Sequence, residues 1–546
     1  VTRLAEAAML SHGWRRFLLL LIAGAVAALS APPLFLLPAL FIAFPVLVWC
    51  LDGAERLPGL RRLFGPAFTI GLAFGLGYFT AALHWLGAAF IQEGGAYLLL
   101  MPFAIAALAA VLSLFWALAT ALAHLCWSGG ALRILTLATF LTLAELARGH
   151  LFSGFPFNLL GYALTANDEM SQAASLIGVY GLTFLAALLA ATPALIWPAD
   201  QRGLVRRLVP FFLAVAAIAV QVAYGNYRLG SVEVLPRTDM KVRLVQPMIT
   251  AHADWTLIEP AQVIDRLVAL SESRLTPEDP GLAAVTHLVW PESVFPFFLT
   301  QYPEALARIA RMLPPETMLL TGAPREPLGP GGVREEGNPG YNSILAIDSD
   351  GEIVASYDKS HLVPFGEYLP FAEFWGMFGI RQFVPGTNGW APGSGRRLQQ
   401  IPGTPPFLAL ICYEAIFPGD IGDVAGAEFI LNITNDAWFD GSVGPAQHAH
   451  HARLRAVETG LPMLRASNTG TTIATDPLGR VTARLAEQQV ALVDVVPAQP
   501  LAEPTLFNRL GLLPLYVVLG LAPAPSSGIV FPARPTLDIK LSLYMA

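Results

Sequence analysis

Between Phe17 and Trp127 the only charged side chains are Asp52, Glu55, Arg56, Arg61, Arg62 and Glu93, and the stretches between them reach the length that crosses a bilayer. A helix rises about 1.5 Å per residue and a hydrocarbon core is about 30 Å thick, so roughly 20 apolar residues suffice. Backbone polar groups find no water at that depth, which leaves the helix as the form such a segment takes. The whole chain agrees, being 54% hydrophobic and 13% charged, against about 25% charged in an ordinary soluble domain. The apolar stretches predict spans at 17–30, 34–51, 67–91, 97–127, 132–147, 171–197 and 208–224, then a polar block, then an eighth span at 507–521. Pro32, Pro33 and Pro38 interrupt the first two, so a single kinked hairpin is the alternative there. The run after Arg15 and Arg16 reads as a retained first helix, since more spans follow at once and no small-residue cleavage site stands out.

Positive side chains in short loops stay cytoplasmic. Arg3, Arg15 and Arg16 precede the first span, Arg56, Arg61 and Arg62 follow the second, Arg133 opens the fifth, and Arg202, Arg206 and Arg207 follow the sixth. The intervening gaps are neutral or acidic, as at Glu93, Asp168 and Glu169, with Arg148 as the exception. This pattern predicts a seven-span domain over 1–224, a block at 225–506 outside the cytoplasm, an eighth helix at 507–523 and a cytoplasmic tail at 524–546, with both termini inside. In a bacterial inner membrane the outer side is the periplasm.

The 33 basic residues against 40 acidic ones give a formal charge of −7 without any basic block, which excludes the electrostatic footprint of a nucleic-acid binder. Three cysteines are too few for a disulfide framework; Cys50 and Cys126 sit in apolar runs as small hydrophobes, and Cys412 remains to be explained.

The polar block has a different texture. Short runs at 241–247, 287–290, 317–322, 342–348, 407–411, 428–433 and 489–495 are apolar, rich in β-formers and bounded by Gly, Pro or Asp, as buried strands are. Helical patterns at 258–274, 303–312 and 448–459 lie among them, and the alternation predicts an α/β domain with its own core.

Three residues in this block suggest chemistry. Cys412 ends the apolar run 407–411 and precedes Tyr413 and Glu414, so it would stand at a strand exit, where a nucleophile is held at the rim of a sheet. Taken alone it is as readily a buried core cysteine. Glu292, in the sequence Trp290, Pro291, Glu292, stands at another strand exit where partial desolvation suits a base for a thiol, although a surface acid on a turn has the same pattern. Lys359, in Tyr357, Asp358, Lys359, Ser360, His361, would favour a thiolate and stabilise an oxyanion if it lay near Cys412. A solvated pair with Asp358 is its plain alternative.

Together these segments resemble the nitrilase superfamily, whose site is a Glu, Lys, Cys triad in that chain order. The stretches 431–439 (LNITNDAWF) and 465–470 (RASNTG) are similar to that superfamily as well. A nitrilase-like block between a seventh and an eighth span resembles the apolipoprotein N-acyltransferase family over nearly the whole chain. The resemblance implies a polytopic α-helical membrane protein with an inserted αββα sandwich in the periplasm. It implies Glu292 as general base, Lys359 as oxyanion stabiliser and Cys412 as the acyl-forming nucleophile. Glu367, Tyr413 and Glu414 are implied as supporting or substrate-binding residues, with Trp255 and Asn342 matching more loosely. It further implies a phospholipid acyl donor, phosphatidylethanolamine above all, a diacylglyceryl apolipoprotein as acceptor, residence in the lipid bilayer, and no cofactor or metal. A membrane-tethered amidase, in which water attacks the thioester, would share the triad, and a transporter or sensor with a noncatalytic domain is the alternative of another class.

Two apolar stretches, 371–380 with Phe371, Phe374, Trp375 and Phe378, and 295–298 with Phe295, Phe297 and Phe298, are too aromatic for solvent-facing loops and are expected to dip into the membrane interface as a lid beside the site. His448, His450 and His451 lack a carboxylate or thiol at ligand spacing and read as helix residues without metal, and His84 and His124 as helix-packing hydrogen bonders. Charged substitution of Trp375 and Phe378 is expected to lower turnover of a phospholipid donor; undiminished turnover in a vesicle assay would refute the lid.

Overall fold

The computed structural model describes residues 2–59, 63–95, 97–197, 203–249, 259–327, 339–371, 373, 377 and 389–521. Trp255, Phe374, Trp375, Phe378 and the tail 524–546 lie outside the described residues.

Helices occupy the apolar stretches of the first half: α1 (Thr2–Leu10), α2 (Gly13–Ala28), α3 (Pro38–Asp52), α4 (Pro66–Leu83), α5 (Gly87–Glu93), α6 (Tyr97–Leu125), α7 (Leu132–His150), α8 (Asp168–Ser171), α9 (Ala174–Ala190) and α10 (Leu204–Ser231). Among the described residues, Pro66–Glu93, Tyr97–Leu125, Ala174–Leu195 and Leu204–Ser231 are long and apolar enough to cross a membrane. α2 and α3 are shorter, and α7 carries Arg133, Glu145 and Arg148. The stretch expected as the eighth span forms two short helices, α14 (Leu506–Leu510) and α15 (Leu513–Gly520), parted at Gly511, whose φ of +54° is left-handed.

Close helix approach here depends on glycine. A Cβ at Gly24 would lie 2.0 Å from the Phe74 carbonyl oxygen, and one at Gly77 would lie 1.9 Å from that of Leu21, so α2 and α4 touch backbone to backbone at both points. Nearly two turns back along α4, Gly71 faces Trp116 and Thr120 of α6 in the same way. Lipid tails are as apolar as leucine, so such tight van der Waals contact, rather than exclusion of water, holds helices together in a membrane. Arg148, the exception in the loop-charge pattern, is buried: it pairs with Glu145 and donates to the Phe155 and Phe157 carbonyls. It is an internal ion pair that ties down the segment after α7 and carries no information about sidedness. His84 bonds the Ala81 carbonyl of its own helix, and His124 bonds that of Leu51.

The described residues of the polar block form twelve strands in two sheets. One runs β12-β1-β2-β3-β4-β5 and the other β11-β10-β9-β8-β7-β6. The strands are β1 (Val242–Gln246), β2 (His287–Trp290), β3 (Met318–Arg325), β4 (Tyr341–Ile347), β5 (Ile353–Asp358), β6 (Leu398–Ile401), β7 (Thr404–Ile411), β8 (Phe429–Thr434), β9 (Met463–Ser467), β10 (Ile473–Thr475), β11 (Val481–Arg484) and β12 (Ala491–Val495). β1, β2 and β3 are parallel, as are β7, β8 and β9. Period-2 alternation sorts their side chains. Leu244, Val289, Leu320, Ala409, Leu431 and Leu464 meet in one cluster shared by the two sheets. Their chain neighbours Leu288, Trp290 and Leu319 face outward onto α11 (Pro260–Glu272) and α12 (Pro303–Met312). Leu410, Ile430 and Met463 face outward onto α13 (Gly444–Thr459). Strands buried on both faces read as continuous apolar runs, which is why β1, β2, β3, β7 and β8 were visible, whereas Arg465 interrupts β9 and it was not. The result is four layers, helix, sheet, sheet, helix.

Two expectations need correcting. Phe295 is buried in the core under α11 and α12, and Phe297 packs beside it against Tyr302, so these rings fill the domain's own interior and do not reach a membrane interface. α13 begins four residues earlier than the pattern predicted, because Pro445 sits at its first turn, where a missing N–H costs nothing.

The sandwich docks on the helices through α13 and the residues after Cys412. Tyr413, Ile416, Phe417, Leu454 and Val457 belong to the same apolar cluster as the first-half helices. Polar contacts fix the register: Asn158 donates to Gln447 at 3.0 Å, Gln447 donates to the Pro32 carbonyl at 2.8 Å, and the Val179 N–H donates to Glu458 at 2.9 Å. Replacing Gly77 with Leu forces α2 and α4 apart and is expected to cost about 1–3 kcal/mol, read as a lowered unfolding midpoint in detergent; an unchanged midpoint would refute the backbone contact.

Candidate active site

Strand ends build the site. Glu292 follows β2, Lys359 follows β5, Cys412 follows β7, and Asn435 follows β8, all at carboxyl ends. Ligand sites in sheets of this kind form outside those ends, where loops diverge.

Lys359 is 1% exposed and sits between two carboxylates, 3.4 Å from Glu292 Oε1 and 2.9 Å from Glu367 Oε1. Asn342 bridges the same two groups, its Nδ2 donating to Glu292 at 2.7 Å and to Glu367 at 2.9 Å. The second oxygen of each acid is taken by backbone: the Asn435 N–H donates to Glu292 Oε2 at 2.8 Å, and the Val363 N–H to Glu367 Oε2 at 2.8 Å. Lys359 is itself held by its own N–H, which donates to the Asn342 carbonyl at 2.8 Å. Every buried polar atom in this cluster therefore has a partner, the condition under which buried charge is tolerable.

Cys412 opens a short 3₁₀ turn, Cys412–Ile416, with φ at +52°. A residue with a Cβ pays roughly 1 kcal/mol or more for this left-handed conformation, and such strain concentrates at functional sites. Burial pushes the thiol pKa well above its ordinary value; the Glu292 carboxylate raises it further, and the Lys359 ammonium and the Thr434 hydroxyl oppose them. The resting residue is a thiol and needs a base. Burial alone would discharge Lys359, but Glu367 and Glu292 outweigh it and hold its pKa well above the usual lysine range.

Of the residues expected around the triad, Asn342 and Glu367 are brought into direct contact with it. Tyr413 turns away: its hydroxyl donates to the Gly154 carbonyl at 2.6 Å, and its ring lies among Phe155, His361 and Phe417. Glu414 is fully buried behind the nucleophile. It accepts from the Ile411 N–H at 2.8 Å, the Ser360 N–H at 2.9 Å, the Ser360 hydroxyl at 2.8 Å, the His361 N–H at 3.1 Å and the Tyr357 hydroxyl at 3.0 Å. It thus pins the segment after Lys359 to the end of the strand that bears Cys412. Phe371 is exposed, and the rest of the expected lid lies outside the described residues.

The histidines of α13 face separate partners. His448 reaches Asp436 and the Cys412 carbonyl, His450 reaches Thr165, and His451 lies flat on the Tyr162 ring at 3.9 Å between centroids. Burial would raise the Asp436 pKa, but His448 and Arg465 outweigh it and hold it at about 2. Asn435, Asp436, His448 and Arg465 were missed as site residues. Their signal was present, since strongly polar side chains directly follow or interrupt β-rich runs at 429–434 and 463–467.

The match of known proteins covers both halves. Residues 23–192 match the apolipoprotein N-acyltransferase N-terminal domain, and residues 241–499 match the carbon-nitrogen hydrolase domain. The apolipoprotein N-acyltransferase of Rhodopseudomonas palustris is 41% identical over 522 residues, covering 95% of this chain and 96% of that protein. That of Bradyrhizobium diazoefficiens is 42% identical over 525 residues, with 95% and 96% covered. That of Agrobacterium fabrum is 41% identical over 496 residues, with 90% and 92% covered.

Glu414→Gln turns an amide toward a ring of donors and is expected to cost about 3 kcal/mol of stability. The check is a thermal unfolding midpoint; a fall in activity at unchanged stability would instead place Glu414 in contact with substrate.

Proposed function

The chain belongs to the apolipoprotein N-acyltransferase family, and from that membership we propose a course of reaction for its own residues. The protein is an acyltransferase of lipoprotein maturation that resides in the membrane. Glu292 takes the proton of the Cys412 thiol, and the thiolate attacks the sn-1 ester carbonyl of a phospholipid, with phosphatidylethanolamine as the donor. Lys359 stabilises the oxyanion. The carbon–oxygen bond to glycerol then breaks, Glu292 returns its proton to the departing alkoxide, and a lysophospholipid leaves behind a thioester on Cys412. In the second half the α-amino group of a diacylglyceryl cysteine attacks the thioester. Glu292 takes the amine proton, the carbon–sulfur bond breaks, and the proton passes to the Cys412 thiolate, leaving an amide on the lipoprotein. A thioester is activated toward an amine, so no nucleotide enters the balance.

The observation that carries this reading is the burial of Lys359 between Glu292 and Glu367 beside a left-handed Cys412. Contact between the residues after Cys412 and the apolar first-half helices supports a lipid donor, because it seats the nucleophile against the membrane-embedded part of the chain. Glu367 and Asn342 act as positioning residues for Lys359 and Glu292. The distribution of arginines supports eight crossings with both termini cytoplasmic and the sandwich in the periplasm.

Incubation with phosphatidylethanolamine of one acyl composition is expected to add one hydroxylamine-sensitive acyl mass to the wild-type protein and none to Cys412→Ala. Glu292→Gln is expected to slow that step by about 10²-fold or more. Absence of an adduct on folded protein would refute the thioester, and release of free fatty acid in place of acylated lipoprotein would favour the hydrolase. A cysteine placed at the exposed Asp350 is expected to react with a membrane-impermeant maleimide in intact spheroplasts; protection until lysis would reverse the assigned sidedness.

A further inference from the structure

The polar residues that follow β8 and interrupt β9 form a second, wholly buried network behind the nucleophile, and the reaction above makes no use of it. Its hub is Asp436, 2% exposed. Arg465, buried within β9, binds Asp436 Oδ2 at 2.9 Å, and the Ser467 hydroxyl reaches the same oxygen at 3.3 Å. The Thr434 hydroxyl lies 3.3 Å from Oδ1. On its remaining side Asp436 Oδ1 faces Nδ1 of His448 at 2.8 Å, with Arg465 Nη2 3.2 Å from that nitrogen, and the ring's other nitrogen, Nε2, stands 3.1 Å from the carbonyl oxygen of Cys412. Only an Nε2–H satisfies that carbonyl, so the ring acts there as a donor.

The carbonyl belongs to the one residue of the site that is both nucleophilic and left-handed. At φ +52° the peptide after Cys412 is turned out of the direction that β7 would give it, and a hydrogen bond from a ring fixed at its far end opposes relaxation. The residue before Asp436 holds the other reactant, since the Asn435 N–H donates to Glu292 Oε2 at 2.8 Å. One short segment, Asn435 and Asp436, therefore sets the base directly and the nucleophile through His448. We propose that His448 is a positioning residue that donates Nε2–H to the Cys412 carbonyl and keeps the thiol in register with Glu292 and Lys359.

This inference rests on the reading of Cys412 as nucleophile. The test is single-turnover acylation of the full-length protein in mixed micelles of detergent and phosphatidylethanolamine, followed by intact mass as the mole fraction of lipid is varied. His448→Gln retains an N–H at similar reach, whereas His448→Phe fills the space without a donor. The Phe variant is expected to lose on the order of 10²-fold in maximal acylation rate, the effect of a misplacement of about 1 Å. Its half-saturating lipid fraction stays unchanged, and the Gln variant stays within about tenfold of wild type. A merely structural role would lower the unfolding midpoint of both variants without separating their rates. Equal acylation rates for the two variants, or a Phe variant as fast as wild type, would overturn the inference while leaving the thioester mechanism intact. A wild-type protein that takes up no acyl group would overturn both.

Discussion

Burial of the Lys359 ammonium is the constraint around which the site is arranged. A lone ammonium taken out of water would give up its proton, and two neighbouring carboxylates repel each other unless a cation stands between them. Glu292 and Glu367 on either side of Lys359 remove both difficulties and leave a cluster of net charge −1. The thiol beside it is neutral. On the proposed course of reaction, passage of the proton from Cys412 to Glu292 moves negative charge from oxygen to sulfur and the total stays at −1. The desolvation cost of the cluster is thus met once, on folding, and is not incurred again at the chemical step. Lys359 then has one carboxylate partner, Glu367, and is free to turn toward the oxyanion.

The same arrangement explains why the surrounding contacts are backbone donors. A side-chain partner could swing; the N–H groups of Asn435 and Val363 cannot leave without moving a strand end or a turn. Glu414 extends this rigidity through the fold. By accepting from both Ile411 and Ser360 it joins the end of β7 to the segment after β5, and these lie in different sheets. The two sheets are cemented over most of their area by aliphatic contact, which fixes distance but leaves sliding cheap. A buried carboxylate with five donors fixes register as well.

Much of this was legible in the chain. The apolar first half, the strands buried on both faces, and the triad each left a local signature, because each depends on residues adjacent in sequence. Glu292, Lys359 and Cys412 stand at the ends of apolar runs, and that pattern survives without knowledge of which strands pair. The strands that went unseen are β5, β6, β9, β10 and β11: β5, β6, β10 and β11 are edge-lying, short or mixed in composition, and β9, though central and fully buried, is five residues long and interrupted by Arg465, so period and hydrophobicity say little about them. Phe295 and Phe297 show the opposite failure. Aromatic density marks burial, but whether the partner is a lipid or the domain's own helices depends on packing that no local window contains. His448 was passed over for a similar reason: considered beside His450 and His451 it reads as a helix residue without metal, whereas its partners Asp436 and Cys412 come from other elements.

The proposed reaction holds an acyl group on Cys412 between the departure of one product and the arrival of the next substrate, on a domain that matches the carbon-nitrogen hydrolase family. Base strength cannot make the distinction, since Glu292 would serve water as readily as an amine. Access can. Glu292 is 4% exposed, with Asn342 and Lys359 on Oε1 and the Asn435 N–H on Oε2, so it presents little surface to bulk water. In the proposed reaction an amine on a lipid anchor has binding energy along its acyl chains that water lacks, and Tyr413 and Phe417 seat the site against the apolar helices. On that reading, selection of amine over water follows from how the sandwich is seated on the helices.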